Sequence, residues 1–279
     1  MRIDNILFVS DLDGSFLGKG SRLVQKNIDA IEKFKASGGL FTASTGRIHK
    51  RLEETIPSPE MLFNAPAIMS NGACIYDFEA GKSIRNILLD PLPTVEMMRF
   101  AHSIAPTVAA RITTPDGLLA NPDWSNAYVE RDVQLFSTDK VGFKPLDEWD
   151  MESAVWYKAV FRGEAEDIIK MRPALEEKFS AEFHFTASSP KYFEVVPQGC
   201  SKADGLQFLT KYCEEKYNKH FITVALGDYD NDREVLEAAD ISFCPDNACD
   251  SIKEICDFTV CNHDEGAVAE AMERLRFES

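Results

Sequence analysis

The sequence has no apolar run long enough to cross a bilayer. Its first, Ile6 to Val9, is four residues, and the N-terminus Met1-Arg2-Ile3-Asp4-Asn5-Ile6 sets an acid and an amide where a secretory leader would carry its apolar stretch. A cytoplasmic protein with no membrane partner is expected. A basic excess is also missing: 46 acidic residues against 30 basic ones give a net charge of −16, which argues against a nucleic-acid surface. Any phosphate-bearing ligand must therefore meet a local positive site. The seven cysteines form no dense disulfide framework, as expected of reduced thiols. Cys244, Cys249, Cys256 and Cys261 repeat a C-x4-C spacing, but zinc knuckles pair thiolates two to four residues apart. Cys244 closes an apolar run and Cys256 falls in a helix-like stretch, so these read as structural thiols. The five histidines show no metal-pair spacing and no serine sits in G-x-S-x-G, which removes zinc proteases and serine hydrolases. Gly18-Lys19-Gly20-Ser21 lacks the spacing of a nucleotide P-loop.

What is present is a set of short, continuously apolar runs: Ile6-Leu7-Phe8-Val9, Leu40-Phe41-Thr42-Ala43 and Phe221 to Leu226. Such runs mark strands buried on both faces of a parallel sheet. Val24, Ile28, Ile31 and Phe34 recur at helical spacing between the first two, and Gly38-Gly39 ends that helix, giving a βαβ unit. Ser201 and Asp204 open a second helix, with Leu206, Leu209 and Cys213 on one face, that leads into the strand from Phe221. The tail alternates again through Val235-Leu236, Ile241-Ser242-Phe243 and Phe258-Thr259-Val260. From about Lys82 to Ser189 the pattern loosens. Pro91 and Pro93 break the chain, helices are expected at Val95 to Ile104 and Glu166 to Phe179, and Ala154 to Phe161 reads as a strand. The fold class is α/β: a Rossmann-like parallel-sheet core carrying an inserted α+β domain.

Four polar clusters stand where apolar runs end: Asp11-Leu12-Asp13-Gly14-Ser15, Ser44-Thr45-Gly46-Arg47, Ser201-Lys202, and Gly227-Asp228-Tyr229-Asp230-Asn231-Asp232. Ligands of open parallel sheets bind beyond the carboxyl ends of the strands, where all four fall. A lone Asp-x-Asp-Gly is more often a turn than a site. Taken together, paired carboxylates, a hydroxyl, a lysine and a second acidic cluster are what phosphoryl transfer to a carboxylate requires. If Asp11, Asp13, Asp228 and Asp232 converge, each like-charge pair near ~4 Å costs on the order of 4 kcal/mol at an effective dielectric of about 20. A divalent cation offsets that cost, and all-oxygen ligation selects Mg2+.

With these motifs the chain resembles the haloacid dehalogenase (HAD) superfamily of phosphohydrolases, and its Cof-type branch with a large type IIB cap. The resemblance covers essentially the whole chain. It rests on D-x-D-G at 11 to 14, T-G-R at 45 to 47, Ser70-Asn71-Gly72-Ala73 with Ile75-Tyr76-Asp77 behind it, Lys202 after Pro197-Gln198-Gly199, and G-D-x-x-N-D at 227 to 232. It implies a core of residues 1–82 and 190–279 and a cap of residues 83–189. Asp11 would attack phosphorus to form an aspartyl phosphate, while Asp13 protonates the leaving alkoxide and later deprotonates water. Thr45 and Lys202 would hold the phosphoryl group, with Gly46, Arg47 and Asn71 as substrate-side contacts. Magnesium would be held by the Asp11 carboxylate, the Asp13 carbonyl and Asp228, with Asn231 and Asp232 orienting ligands or waters. Two departures stand out: Ser15 replaces the usual threonine after D-x-D-G, and Tyr229-Asp230 adds negative charge to the last motif.

The resulting expectation is a magnesium-dependent phosphatase for a small phosphorylated metabolite such as a sugar phosphate, acting as a monomer or weak homo-oligomer. The cap would close over the substrate and read its leaving group. A phosphosugar mutase with the same aspartyl-phosphate chemistry and a non-hydrolytic phospholigand-binding protein are the alternatives. In the insertion, Arg111, Trp124, Arg131, His184 and Lys191 read as surface or packing residues rather than specificity residues.

Overall fold

The computed structural model describes residues 2–136 and 141–277, with the side chains of residues 276 and 277 left aside. The chain divides into two compact units: residues through Arg47, Leu52–Arg85 and from Ser201 onward in one, Ile48–Arg51 with Asn86–Cys200 in the other. Among the described residues no helix is long and apolar enough to cross a membrane.

The first unit is built on a five-stranded parallel sheet in the spatial order Phe258–Val260, Ile241–Pro245, Ile222–Leu226, Ile6–Ser10, Leu40–Ala43. Every residue of Ile6–Ser10 and of Leu40–Ala43 is buried, which is why these strands read as unbroken apolar runs. The connecting helix Gln25–Ala36 buries Asn27, Ile31 and Phe34. Asn27 thus takes the inward place expected of Ile28: its amide donates to the Phe16 carbonyl and accepts from the Ala269 amide, so a polar group is satisfied within the core. Chain order runs outward in both directions from the pair Ile6–Ser10 and Ile222–Leu226. The crevice beyond the carboxyl ends of those two strands is where such a sheet presents its ligand site.

The second unit holds a five-stranded antiparallel sheet in the order Phe183–Ser189, Tyr192–Pro197, Lys158–Arg162, Ala109–Thr114, Gly117–Ala120. Alternation divides its two faces. Ala110, Ile112, Ala159, Phe161, Phe193 and Val195 pack against Met97, Met98, Ile168, Met171 and Leu175 of helices Pro91–Ile104 and Ala165–Phe179. On the other face, Val129 and Val133 of helix Ala127–Phe136 pack over Ala109, Leu118 and Ala120. A parallel core with an additional sheet domain is the α/β architecture expected.

Several local expectations need correction. Pro91 and Pro93 do not break the chain; they lie in the first turn of a helix capped by the Asp90 side chain, which accepts from the Leu92 amide. The strand expected from Ala154 begins only at Lys158, because the Trp156 carbonyl is used by the Leu89 amide and its indole packs edge-on against Trp149. Tyr192–Pro197, assigned from sequence to the returning core segment, is an inner strand of the second sheet, since Phe193 and Val195 complete that sheet's apolar face. Cys256 lies beyond the short helix Asp250–Lys253 rather than inside one.

Candidate active site

The pairing Ser10↔Leu226 brings the ends of two strands together, although they lie more than two hundred positions apart in sequence. The Asp11 amide donates to the Leu226 carbonyl at 2.8 Å, so Asp11 and the Gly227-Asp228 turn leave the sheet side by side. The chain after Asp13 then turns sharply. Gly14 has φ +87°, and a Cβ there would meet Asp228 Oδ2 at 2.4 Å, so glycine serves both the left-handed backbone and the close approach to the carboxylate. Ser15 Oγ donates to Asp228 Oδ1 at 3.0 Å, so the hydroxyl that serine retains in place of threonine has a defined task.

Lys202, at the start of helix Lys202–Tyr217, reaches into this point. The residue is 1% exposed, and its ammonium donates to Asp11 Oδ1 at 2.7 Å and Asp232 Oδ1 at 2.5 Å. The other Asp232 oxygen accepts from the backbone amides of Asp228 (3.0 Å) and Tyr229 (3.3 Å). Asp232 therefore braces both the lysine and the loop bearing Asp228. Asn231 lies half-buried in the same turn, while Asp230 points outward to Ser251 Oγ.

A second brace runs from Thr45. Its amide donates to the Ile68 carbonyl and its carbonyl accepts from the Asn71 amide at 3.0 Å, while its hydroxyl accepts from the Arg47 amide at 3.2 Å. Gly46 is half-buried in this turn. Ser70, Asn71 and Gly72 are all left-handed, with φ of 51°, 57° and 94°. Two non-glycine residues in that region store strain, which the surrounding hydrogen bonds hold in place. A Cβ on Gly72 would stand 2.0 Å from the Ser201 carbonyl, so the turn packs directly against the start of the Lys202 helix.

Asp13 behaves differently from the buried acids. Its side chain is 58% exposed and is clasped by Arg47, with Nε to Oδ2 at 2.8 Å and Nη2 to Oδ1 at 2.5 Å. Arg47 also donates to Thr55 Oγ1 and Ser21 Oγ. Sequence reasoning assigned Arg47 to the substrate side and missed this pairing.

The electrostatics show a shortage of positive charge. Burial, reinforced by Asp232, Asp228 and Asp13, pushes the Asp11 carboxyl well above its ordinary range despite Lys202. Burial and Asp232 raise Asp228 to about 7, against the pull of Ser15 and Lys202. Lys202 is itself held above its usual value: burial works against the charge, but Asp11 and Asp232 outweigh it. An ion pair should lower its acid, yet Asp11 rises, because burial and the neighbouring carboxylates together outweigh the one ammonium that Asp11 shares with Asp232. Asp11, Asp228 and Asp232 each offer an oxygen within 4.8 Å of the others. This crowded, oxygen-only, anionic set fits a hard divalent cation such as Mg2+.

The family model of the haloacid dehalogenase-like hydrolases matches residues 8–272. The chain belongs to that family. This hydrolase is 27% identical to the 5-amino-6-(5-phospho-D-ribitylamino)uracil phosphatase YwtE of Bacillus subtilis, over 95% of this chain and 96% of that one. It is 23% identical to the HMP-PP phosphatase of Yersinia pseudotuberculosis, over 88% and 85% of the two chains. A HAD/COF-like hydrolase from Plasmodium vivax superposes with a TM-score of 0.80 at 21% identity, covering 99% of this hydrolase and 97% of that chain; at that identity the likeness concerns the fold.

Proposed function

We propose that this hydrolase is a magnesium-dependent phosphatase that cleaves a small phosphomonoester, a sugar phosphate or related metabolite, through an aspartyl-phosphate intermediate. The observation carrying the reading is the fully buried Lys202 bridging Asp11 and Asp232 beside Asp228: a nucleophile, a fixed cation and an anionic pocket in one place. The phosphatase names of the curated relatives support it, and the phosphoribityl group named for one of them supports the substrate class.

In this reading an Asp11 oxygen forms a bond to phosphorus as the bond to the leaving alkoxide breaks, and Asp13 supplies the proton that alkoxide takes up. Water then adds to phosphorus, gives its proton to Asp13, and the phosphorus bond to Asp11 opens to release phosphate. Lys202 and the Thr45 hydroxyl fix the phosphoryl group, and burial of Lys202 makes its charge count for more than it would in water. Asp11 and Asp228 would hold magnesium together with the Asp13 carbonyl, while Asp232 and Asn231 keep that arrangement in place. Magnesium, when bound, would keep the two carboxylates ionised and draw charge from the phosphoryl oxygens. The Arg47 clasp keeps Asp13 in reach of the site until substrate competes for it.

The deciding experiment measures inorganic phosphate release from a panel of small phosphomonoesters, with magnesium and with chelator. Release that depends on magnesium is expected; a chain that turns over none of them, or works with zinc alone, overturns the reading. A burst that depends on added sugar bisphosphate without net phosphate release would favour the mutase instead.

A further inference from the structure

We propose that Asn247, His263 and Asp264 are positioning residues: a brace on the loop that follows the nucleophile, residues 14–19, which sets where Asp13 delivers its proton. The inference rests on the phosphatase reading above. Three hydrogen bonds reach that loop from the C-terminal end of the chain. Asn247 Nδ2 donates to the Gly14 carbonyl at 2.8 Å, His263 Nδ1 meets the Leu17 carbonyl at 2.6 Å, and the Lys19 amide donates to Asp264 Oδ1 at 2.7 Å. The three grips are mechanically linked, because Asn247 Oδ1 accepts from the His263 amide at 2.9 Å and Asn262 caps the turn by accepting from the Asp264 amide. A carbonyl can only accept, so His263 must carry its proton on Nδ1.

Asp13 needs such a brace more than Asp11 does. Asp11 is buried and tied to Lys202, whereas the Asp13 side chain stands 58% in solvent with Arg47 as its hold. Arg47 holds the carboxylate, but how far the side chain reaches also depends on the backbone that carries it, and the carbonyl of the next residue, Gly14, is the one Asn247 grips. Asn247 is itself exposed and fills no part of the core, so packing gives no account of its place. Its two hydrogen bonds run to the catalytic loop and to the residue that grips the same loop three positions on.

The test compares wild type with Asn247→Ala, His263→Ala and His263→Asn, on an alkyl phosphomonoester and on p-nitrophenyl phosphate. The nitrophenolate leaves with little need of a proton, so misplacing the acid should matter less there. On the alkyl substrate the two alanine variants should lose up to roughly 10²-fold in kcat/KM, the scale of an ångström's misplacement, with a clearly smaller loss on p-nitrophenyl phosphate and an unchanged Tm. His263→Asn should recover much of the activity, since its amide N–H can serve the Leu17 carbonyl in place of Nδ1–H. Wild-type rates in the alanine variants, or equal losses on both substrates, overturn the proposal; if Asn247→Ala does not fold, the contrast between His263→Ala and His263→Asn decides it. A wild-type chain that hydrolyses neither substrate removes the phosphatase reading and this inference with it, an outcome distinct from active wild type with indifferent variants.

Discussion

Two buried charged clusters, one in each unit, show opposite electrostatic behaviour at similar depth. In the second unit Arg111 and Arg162 share Asp132, and Lys158 pairs with Glu194 at 2.6 Å with both side chains 6% exposed. Burial pushes the Glu194 carboxyl up, but Lys158, Ser188 and Arg111 more than compensate and it stays below its ordinary value. In the first unit burial, Asp232, Asp228 and Asp13 prevail over Lys202, and Asp11 rises. Depth is therefore not what separates them; the supply of cations is. Where three cations face two carboxylates each acid has its counter-charge, whereas carboxylates in excess of their cations await something positive. On the proposed reading that contrast marks the first cluster as the reactive one and the second as architecture.

The largest effect belongs to Asp11→Asn. An amide cannot form the acyl phosphate, so phosphate release should fall to background while circular dichroism and Tm report an intact fold. Surviving turnover would mean the crowded carboxylates do something other than attack. Asp13→Asn comes next: loss of an acid and base should cost on the order of 10²- to 10⁴-fold in kcat, measured on an alkyl substrate. An unchanged rate there would reduce Asp13 to a partner of Arg47.

The positions of these groups were accessible from sequence because a parallel strand announces its own end. Asp11, Thr45 and Asp228 follow continuous apolar runs, and sheet geometry then places them on one edge. Lys202 was accessible for a related reason, since a cation at a helix start opposes the dipole and needs an anion. Asn247, His263 and Asp264 carried no such signal. Their partners are backbone carbonyls and an amide more than two hundred positions away, and neither periodicity nor charge marks a side chain that grips a peptide group. The exchange of Arg47 onto Asp13 was hidden likewise, because spacing says which groups are near but not which pair wins. Asp132, a charged residue on the inward face of a helix, and Tyr192–Pro197, whose alternation resembles that of the core, show the same limit in the second unit.

On the structural side of the comparison, Lys158→Met should leave Glu194 buried without its ammonium and destabilise the protein by about 3–5 kcal/mol, the usual cost of breaking a buried pair from one side. Denaturant unfolding measures it. Replacing Glu194 by leucine in the same chain should restore much of the loss, because two apolar groups leave no orphaned charge. A single substitution with no cost would remove the claim that this cluster is held by its ion pairs.

The smallest effect is one of sign. With metal chelated, Asp228 titrates at about 7 in the folded chain against an ordinary 3.8, so the native state holds a proton that the unfolded state gives up. That contribution to stability is present at acid pH and is lost as pH rises through about 7. Asp11, raised by burial and its neighbours, adds to it in the same direction. Glu194 is depressed, so its contribution is present above the unfolded value and disappears only as pH falls through the lower folded one, outside this window. His49, lowered by burial and Lys50, runs the other way, since stability from a neutral histidine is lost on acidification. The clean quantity is thus the difference between wild type and Asp228→Asn, both in chelator. Going from pH 8 to pH 6, wild type should gain roughly 1 kcal/mol relative to the variant, the free energy of about one pKa unit. Magnesium should abolish that gain by holding Asp228 ionised. A metal-free difference that stays flat, or runs toward stability at pH 8, would show that the first cluster is already balanced and that its contrast with the second is not one of missing charge.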